Sequence, residues 1–254
     1  MPKPIRIIAR LDVKGSNVVK GVHLEGLRIV GTPADMARQY YEDGADEMIY
    51  MDIVASLYQR NNLLEIVDKA AQEMFVPLTV GGGVRSLDDI ERLLRVGADK
   101  VAINTAAIAR PSFVREAAQR FGSQCIVVSI EAKKAGPGAY VCFTDNGRQK
   151  TPREVSSWVD EVVSLGCGEI LLTSIDREGT QKGFDTELVS LVSRRCPVPV
   201  VASGGAGKVE DVISIFRDGD ADAVALAALL HYKKSTIREV RAELEKHRFG
   251  VRAA

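Results

Sequence analysis

Leu11-Asp12-Val13-Lys14 near the start of the chain has a counterpart in Ile130-Glu131-Ala132-Lys133 near its middle. Three further landmarks follow each copy in the same order. Gly44-Ala45-Asp46-Glu47 answers to Gly166-Cys167-Gly168-Glu169, Gly81-Gly82-Gly83 to Gly204-Gly205-Ala206-Gly207, and Gly97-Ala98-Asp99 to Asp220-Ala221-Asp222. Positions 12, 47, 82 and 99 map onto 131, 169, 204 and 222, offsets of 119, 122, 122 and 123 residues. A period this long exceeds that of a solenoid repeat and fits half of an eight-unit fold.

Between the landmarks, short apolar runs alternate with longer amphipathic stretches, as in repeated strand-helix units. The runs predict strands over Ile5–Leu11, Glu47–Met51, Leu78–Val80, Lys100–Ile103, Ile126–Ile130, Glu169–Thr173, Val198–Val201 and Ala221–Leu226. Thr32-Pro33 and Thr151-Pro152 each place a capping hydroxyl before a proline, and Glu154 completes a capping box with Thr151. Eight such units in 254 residues predict a single (β/α)8 TIM barrel, one domain over 1–254, from half-barrels of about 1–122 and 123–254. A doubly wound open sheet would not need the internal two-fold.

Composition narrows the function classes. The 34 basic and 34 acidic residues cancel, which argues against nucleic-acid or membrane-surface partners, so an anionic ligand must be held locally. No run reaches membrane-spanning length and the N-terminus lacks a signal-peptide core. Cys125, Cys142, Cys167 and Cys196 have no paired short spacing and read as reduced thiols of a cytoplasmic protein. No metal and no cofactor is called for.

Strand parity then places the chemistry. Arg6, Ile8, Arg10 and Asp12 share one face of the first strand, opposite the apolar Ile5, Ile7, Ala9 and Leu11 that must meet the helices. Cys125, Val127, Ser129 and Glu131 share the equivalent face of the fifth. Asp12 and Glu131 are therefore two inward carboxyl groups at the C-terminal mouth, where barrels do chemistry, and such a pair can divide general acid and base work. The glycine clusters close the third and seventh strands, with Asn104-Thr105 and Ala227-Ala228 on the strands that follow. Glycines there let backbone N–H groups approach an anion, and the next helix end adds its dipole, so the pattern predicts two phosphate cradles and a phosphorylated small-molecule substrate.

Arg6, Glu47, Lys100 and Glu169 lie at strand starts, also facing inward, and roughly 20 Å from the upper mouth at about 3.3 Å per residue. As a net-neutral set they read as a salt-bridged floor, or as a gate for a small molecule entering from below.

Across almost the whole chain the blocks Leu11–Lys14, Val19-Lys20-Gly21, Thr79–Gly83, Gly97–Lys100, Ile103–Ala107, Gly168–Asp176 and Ala202–Gly207 resemble the cyclase subunit of imidazole glycerol phosphate synthase, a histidine-biosynthesis barrel. The resemblance implies a bisphosphorylated ribulosyl substrate held by Lys20, Gly82, Gly83, Asn104, Thr105, Thr173, Asp176, Gly179, Ser203, Gly204, Gly205, Ala227 and Ala228. It implies Asp12 and Glu131 as the catalytic pair and a glutaminase subunit as heterodimer partner. Ammonia would then enter through a gate of Arg6, Glu47, Lys100 and Glu169, with Asp99 on the docking face. Lys20 would ride on a mobile lid, the loop Gly15–Gly31.

Four positions depart from the family pattern. Glu131 and Glu178 stand where it has aspartate, Val54 where it has threonine, and Arg10 where it has a small, cysteine-type residue. Glu178 and Val54 read as drift; Arg10 and Glu131 alter the reaction chamber. The alternative is a paralogous barrel that channels glutaminase-derived ammonia to an amidotransferase making acetamidino sugars. His23 and His231 read as exposed loop residues in solvent-facing or phosphate-adjacent roles without catalysis.

Overall fold

A computed structural model describes residues 4–54 and 63–252. The chain runs β1 (Pro4–Lys14), β2 (Asn17–Val22), β3 (Glu25–Gly31), α1 (Pro33–Glu42), β4 (Glu47–Asp52), α2 (Leu63–Glu73), β5 (Leu78–Gly81), α3 (Leu87–Arg95), β6 (Lys100–Ile103), α4 (Thr105–Ala109) and α5 (Ser112–Phe121). It continues through β7 (Ile126–Gly136), β8 (Ala139–Thr144), β9 (Gln149–Glu154), α6 (Val155–Ser164), β10 (Glu169–Ser174), α7 (Thr186–Ser193), β11 (Val200–Ser203), α8 (Val209–Asp218), β12 (Ala223–Leu226), α9 (Ala228–His231), α10 (Ile237–Lys246) and β13 (Gly250–Val251).

Strands β1, β4, β5, β6, β7, β10, β11 and β12 pair in parallel in that order, and β12 returns to β1, closing a (β/α)8 barrel. The period-2 pattern of β1 sorts its side chains as parity requires. Ile5, Ile7, Ala9 and Leu11 join the apolar layer beneath the helices, whereas Ile8 joins a separate interior cluster with Ile49, Met51, Ala102, Val127, Leu171 and Val201. No helix among the described residues is long and apolar enough to cross a membrane.

The repeated glycine-alanine-aspartate signature has a structural cause at the N-terminal face. Asp46 Oδ2 accepts the Ile7 N–H at 2.7 Å, Asp99 Oδ2 the Leu78 N–H at 2.8 Å, and Asp222 Oδ2 the Val200 N–H at 2.8 Å. Each carboxylate thus satisfies a backbone donor at the start of the preceding barrel strand. At the fourth equivalent place the chain has Gly168 instead, whose N–H bonds Ile126 O, and a Cβ there would lie 2.1 Å from Ser123 O.

Two expectations are corrected. Thr32 does cap α1, but Thr151 starts no helix: β9 runs on to Glu154, and α6 begins at Val155. The Thr151 hydroxyl donates to Cys142 O at 2.8 Å across the β8–β9 pair and accepts from Arg153 N–H at 3.2 Å, so strand pairing outcompetes the local capping signal. The Gly15–Gly31 stretch is not a loop but the antiparallel hairpin β2–β3, docked on the barrel mouth through the buried Val18, Val19 and Lys20. The duplication repeats here too, because β7 is likewise followed by an antiparallel extension, β8–β9.

Candidate active site

Asp12 and Glu131 stand at the upper ends of β1 and β7, where Glu131 pairs in register with Thr173 and Asp12 with Met51. Asp12 is buried. Arg10, two residues below on the same face, reaches up so that its Nε donates to Asp12 Oδ1 at 2.9 Å, while Nη1 donates to Thr173 Oγ1 and Ser203 Oγ, both at 3.0 Å. Lys20, lowered from β2, lies 3.6 Å from Asp12 Oδ2 and pairs with Glu178 from the turn after β10. Burial pushes the Asp12 carboxyl upward, but the opposing fields of Arg10 and Lys20 outweigh it and hold the carboxyl below its ordinary range. Asp12 is therefore a carboxylate across the working pH range.

Glu131 has the opposite balance. Burial is the dominant influence and lifts its pKa to about 7, despite the Gly147 N–H that donates to Oε2 at 2.7 Å and the charge of Arg10. One carboxyl stays ionised and its partner can carry a proton near neutrality, the separation an acid–base pair needs. The shift also sets a stability window. Because the folded pKa lies above the unfolded value of 4.5, the native state holds the proton more tightly; this contribution is complete below about pH 4.5 and is lost as pH rises through about 7. Glu131→Gln should remove that slope: relative to wild type, the variant gains about 1–3 kcal/mol between pH 5 and pH 8, read by urea unfolding at the two pH values. An identical pH dependence in both proteins would refute the assignment.

The glycine clusters flank the mouth with matching backbones. Gly82 and Gly83 have φ of +99° and +72°, and Gly204 and Gly205 of +92° and +114°, left-handed conformations that glycine adopts freely. A Cβ on Gly82 would sit 2.1 Å from Asp52 O, and one on Gly205 2.2 Å from Gly183 O. The neighbouring residues match as closely: Asn104 has φ/ψ of −131°/−81° and Ala227 of −128°/−80°, each opening a short helical turn whose first N–H groups lack intrahelical acceptors. At the helices directly after the glycines, which the sequence offered as added anion sites, a carboxylate of the helix itself already stands. Asp89 Oδ2 accepts the Arg85 and Ser86 N–H groups at 3.0 Å, and Asp211 Oδ2 those of Gly207 and Lys208 at 2.8 and 3.1 Å, so both helix ends are already capped by carboxylates. Any phosphate would take its donors from the glycines and the turns at 105 and 228.

The two cradles differ in room. Gly82, Gly83, Asn104, Thr105 and Glu131 border a cavity of about 370 Å³. Gly179, Ser203, Gly204, Gly205, Ala227 and Ala228, with Lys20 and Glu178, enclose only about 10 Å³. The hairpin and the Lys20–Glu178 pair close over this second side, where a Cβ on Gly179 would lie 2.1 Å from Gly21 O.

Not every expected residue reaches the mouth. Asp176 Oδ2 accepts the Lys134 N–H at 2.8 Å and borders a separate outer depression, so it is tied to the β7–β8 hairpin rather than aimed at substrate. Thr173 and Ser203 are buried and spend their hydroxyls on Arg10. Glu178, read from sequence as drift, is instead buried and ion-paired to Lys20, 158 residues away in the chain. Val54 packs against the interior apolar cluster. His231 is not an exposed loop residue. It ends α9, its Nδ1 shares a 2.7 Å hydrogen bond with the Tyr40 hydroxyl, and burial and then Lys20 depress its pKa to about 4, leaving it neutral. His23 is exposed as expected, with Nδ1 2.8 Å from Ile175 O.

At the lower mouth the four charged residues form a closed ring. Arg6 bonds Glu47 at 2.7 Å and Glu169 at 2.5 Å, and Lys100 bonds Glu47 at 2.9 Å and Glu169 at 2.8 Å. Burial works against the Arg6 charge, but Glu169 and Glu47 outweigh it and raise its pKa. Asp99 is exposed beside the ring, one oxygen committed to Leu78.

A closed (β/α)8 barrel whose upper mouth holds an ionised and a protonatable carboxyl between two symmetry-related glycine turns has the arrangement of an enzyme site. The profile of the family described as "Histidine biosynthesis protein" matches residues 6–236, and the chain belongs to that family. Among curated proteins it is 60% identical over 207 residues to a Legionella pneumophila protein named imidazole glycerol phosphate synthase subunit HisF, covering 82% of this chain and 98% of that one. It is 49% and 48% identical, each over 97% of this chain and 98% of the relative, to proteins of the same name from Bacillus pumilus and Geobacillus kaustophilus.

Proposed function

We propose that the chain is the cyclase subunit of an imidazole glycerol phosphate synthase, using ammonia to convert a bisphosphorylated ribulosyl aminoimidazole carboxamide into imidazole glycerol phosphate and aminoimidazole carboxamide ribotide. The observation that carries the reading is the split carboxyl pair between the two cradles. The substrate spans the mouth with one phosphate in each cradle. Glu131, protonated near neutrality, donates to the carbonyl oxygen that leaves as water when ammonia condenses with the ribulosyl carbonyl; Asp12, held ionised by Arg10 and Lys20, accepts a proton from the incoming nitrogen and returns it to the ribotide's amino nitrogen as ring closure forms the new carbon–nitrogen bond and breaks that nitrogen's bond to the bridging carbon. The hairpin carrying Lys20 covers the second cradle and screens Asp12 from water.

The relatives are named as one subunit of a synthase, and the partner we assign is a glutaminase bound at the lower face, with Asp99 on the docking surface and the Arg6–Glu47–Lys100–Glu169 ring as the entrance for its ammonia. The deciding experiment gives the purified chain the ribulosyl bisphosphate and ammonium at mildly alkaline pH. Formation of both products is expected. Tight binding of the bisphosphate without turnover would overturn the cyclase reading in favour of an ammonia-conducting barrel, the outcome that Arg10 below Asp12 would then explain.

A further inference from the structure

The second glycine cradle is filled by a side chain of the protein itself. Its lining encloses about 10 Å³, room for at most about one water, whereas a phosphate group carries four oxygens around its phosphorus. The obstruction is Glu178, buried in the turn after β10. One of its carboxylate oxygens pairs with Lys20, and the other lies so close to Gly204 that a Cβ there would stand 3.0 Å from Glu178 Oε2. A carboxylate thus rests on the glycine turn and holds the cation that a bound anion would use.

Only the side chain of Glu178 can move aside. Its N–H donates to Ser174 O at 2.9 Å and its carbonyl accepts the His23 N–H at 2.8 Å, so the β10 turn and the tip of the β2–β3 hairpin hold its backbone from both sides. Lys20 stands between two carboxylates, Glu178 and, 3.6 Å away, Asp12. A third anion in the same enclosure is repelled, so an incoming phosphate has to take Lys20 from Glu178 and displace that carboxylate. Because Glu178 belongs to the chain, it competes as an intramolecular ligand, at an effective concentration that a freely diffusing phosphate does not reach. A phosphate tethered to one already seated in the first cradle, beside its cavity of about 370 Å³, competes on equal terms.

We propose that Glu178 is a specificity-determining residue, an internal competitor that keeps the second cradle closed to lone phosphates and yields to one delivered by a ligand whose other phosphate occupies the first cradle. This role deepens the cyclase reading and rests on it for taking the glycine turns as phosphate seats. It orders binding: the first cradle fills, then Glu178 rotates off Gly204 and Lys20 passes from carboxylate to phosphate.

The test follows the backbone amides of Gly83 and Gly205 in the full chain by NMR, with inorganic phosphate as one titrant and the ribulosyl bisphosphate, without ammonium, as the other. In wild type, phosphate should shift Gly83 at concentrations at least about tenfold below those that shift Gly205, whereas the bisphosphate shifts both together. Glu178→Gln keeps the shape and removes the charge; it should bring the Gly205 response to phosphate down about tenfold in concentration and leave that of Gly83 unchanged. Glu178→Asp keeps the charge beside Lys20 but draws it back from Gly204 by one methylene, so it should move Gly205 in the same direction even if the glutamine variant fails to fold. Equal response of the two glycines to phosphate in wild type, or a Gly205 response that neither substitution strengthens, would overturn the proposal. Failure of the cyclase reading shows differently, as the ordered response intact in a chain that forms no product from the ribulosyl bisphosphate and ammonium, while silence of both glycines toward both titrants would remove the phosphate seats themselves and the proposal with them.

Discussion

Asp12→Asn is expected to abolish ammonium-dependent turnover, lowering kcat by about 10²–10⁴-fold, while bisphosphate affinity stays near the wild-type value. The two effects separate because the cradles are made of backbone at Gly82, Gly83, Gly204 and Gly205 and not of the Asp12 side chain. The variant keeps the shape of the site, but Arg10 and Lys20 then face a neutral amide. Lys20 retains Glu178, so the hairpin stays docked. Steady-state rates with ammonium, set beside calorimetric affinity for the bisphosphate, check both halves of the expectation. Retention of turnover in this variant would remove Asp12 from the chemistry.

Arg10→Met is expected to have the largest effect on stability. The guanidinium is buried, and its Nε and Nη1 bond three partners, Asp12, Thr173 and Ser203, on three different strands. Removing one member of a buried charged pair costs about 3–5 kcal/mol, because the other is left behind in a poorly solvated place. At roughly 2–4 °C per kcal/mol for a chain of this size, the melting temperature should fall by about 6–20 °C, measurable by calorimetry. The Asp12 carboxyl should rise toward its ordinary range, which would move the acid limb of the pH–rate profile upward. A melting temperature within a degree or two of wild type would mean that Lys20 alone neutralises Asp12. A companion variant, Arg10→Cys with Glu131→Asp, should raise turnover with ammonium if guanidinium and longer carboxyl both hinder the reaction in this chain.

The architecture was legible because its causes are local and repeated. Period-2 alternation along β1 assigned Arg6, Ile8, Arg10 and Asp12 to the interior without any knowledge of neighbours, and the duplicated glycines located two matching turns at the upper mouth. What escaped was long-range or under tertiary control. No local pattern joins Lys20 to Glu178, or His231 to Tyr40, 191 residues away, whose ring stacks on it and half-buries it. The β8–β9 hairpin carried its own signal, Asp145-Asn146-Gly147 between the alternating Tyr140, Cys142 and Thr144 and the strand Gln149–Glu154, but Thr151-Pro152 masked it with a helix start. The destination of Arg10 was visible as a direction and not as a set of partners, since Thr173 and Ser203 come from the other half of the duplication.

Between the ionic ring below and Arg10 above, the barrel interior is packed with Ile8, Ile49, Val127, Leu171 and Val201. Stripping water from an ammonium ion in such a hydrocarbon interior costs far more than moving an uncharged amine, so a route through it would sort nitrogen by protonation state. If nitrogen reaches Asp12 by that proposed route, turnover should track the free-base fraction outside, rising about tenfold for each unit of alkalinity until Glu131 loses its own proton near pH 7.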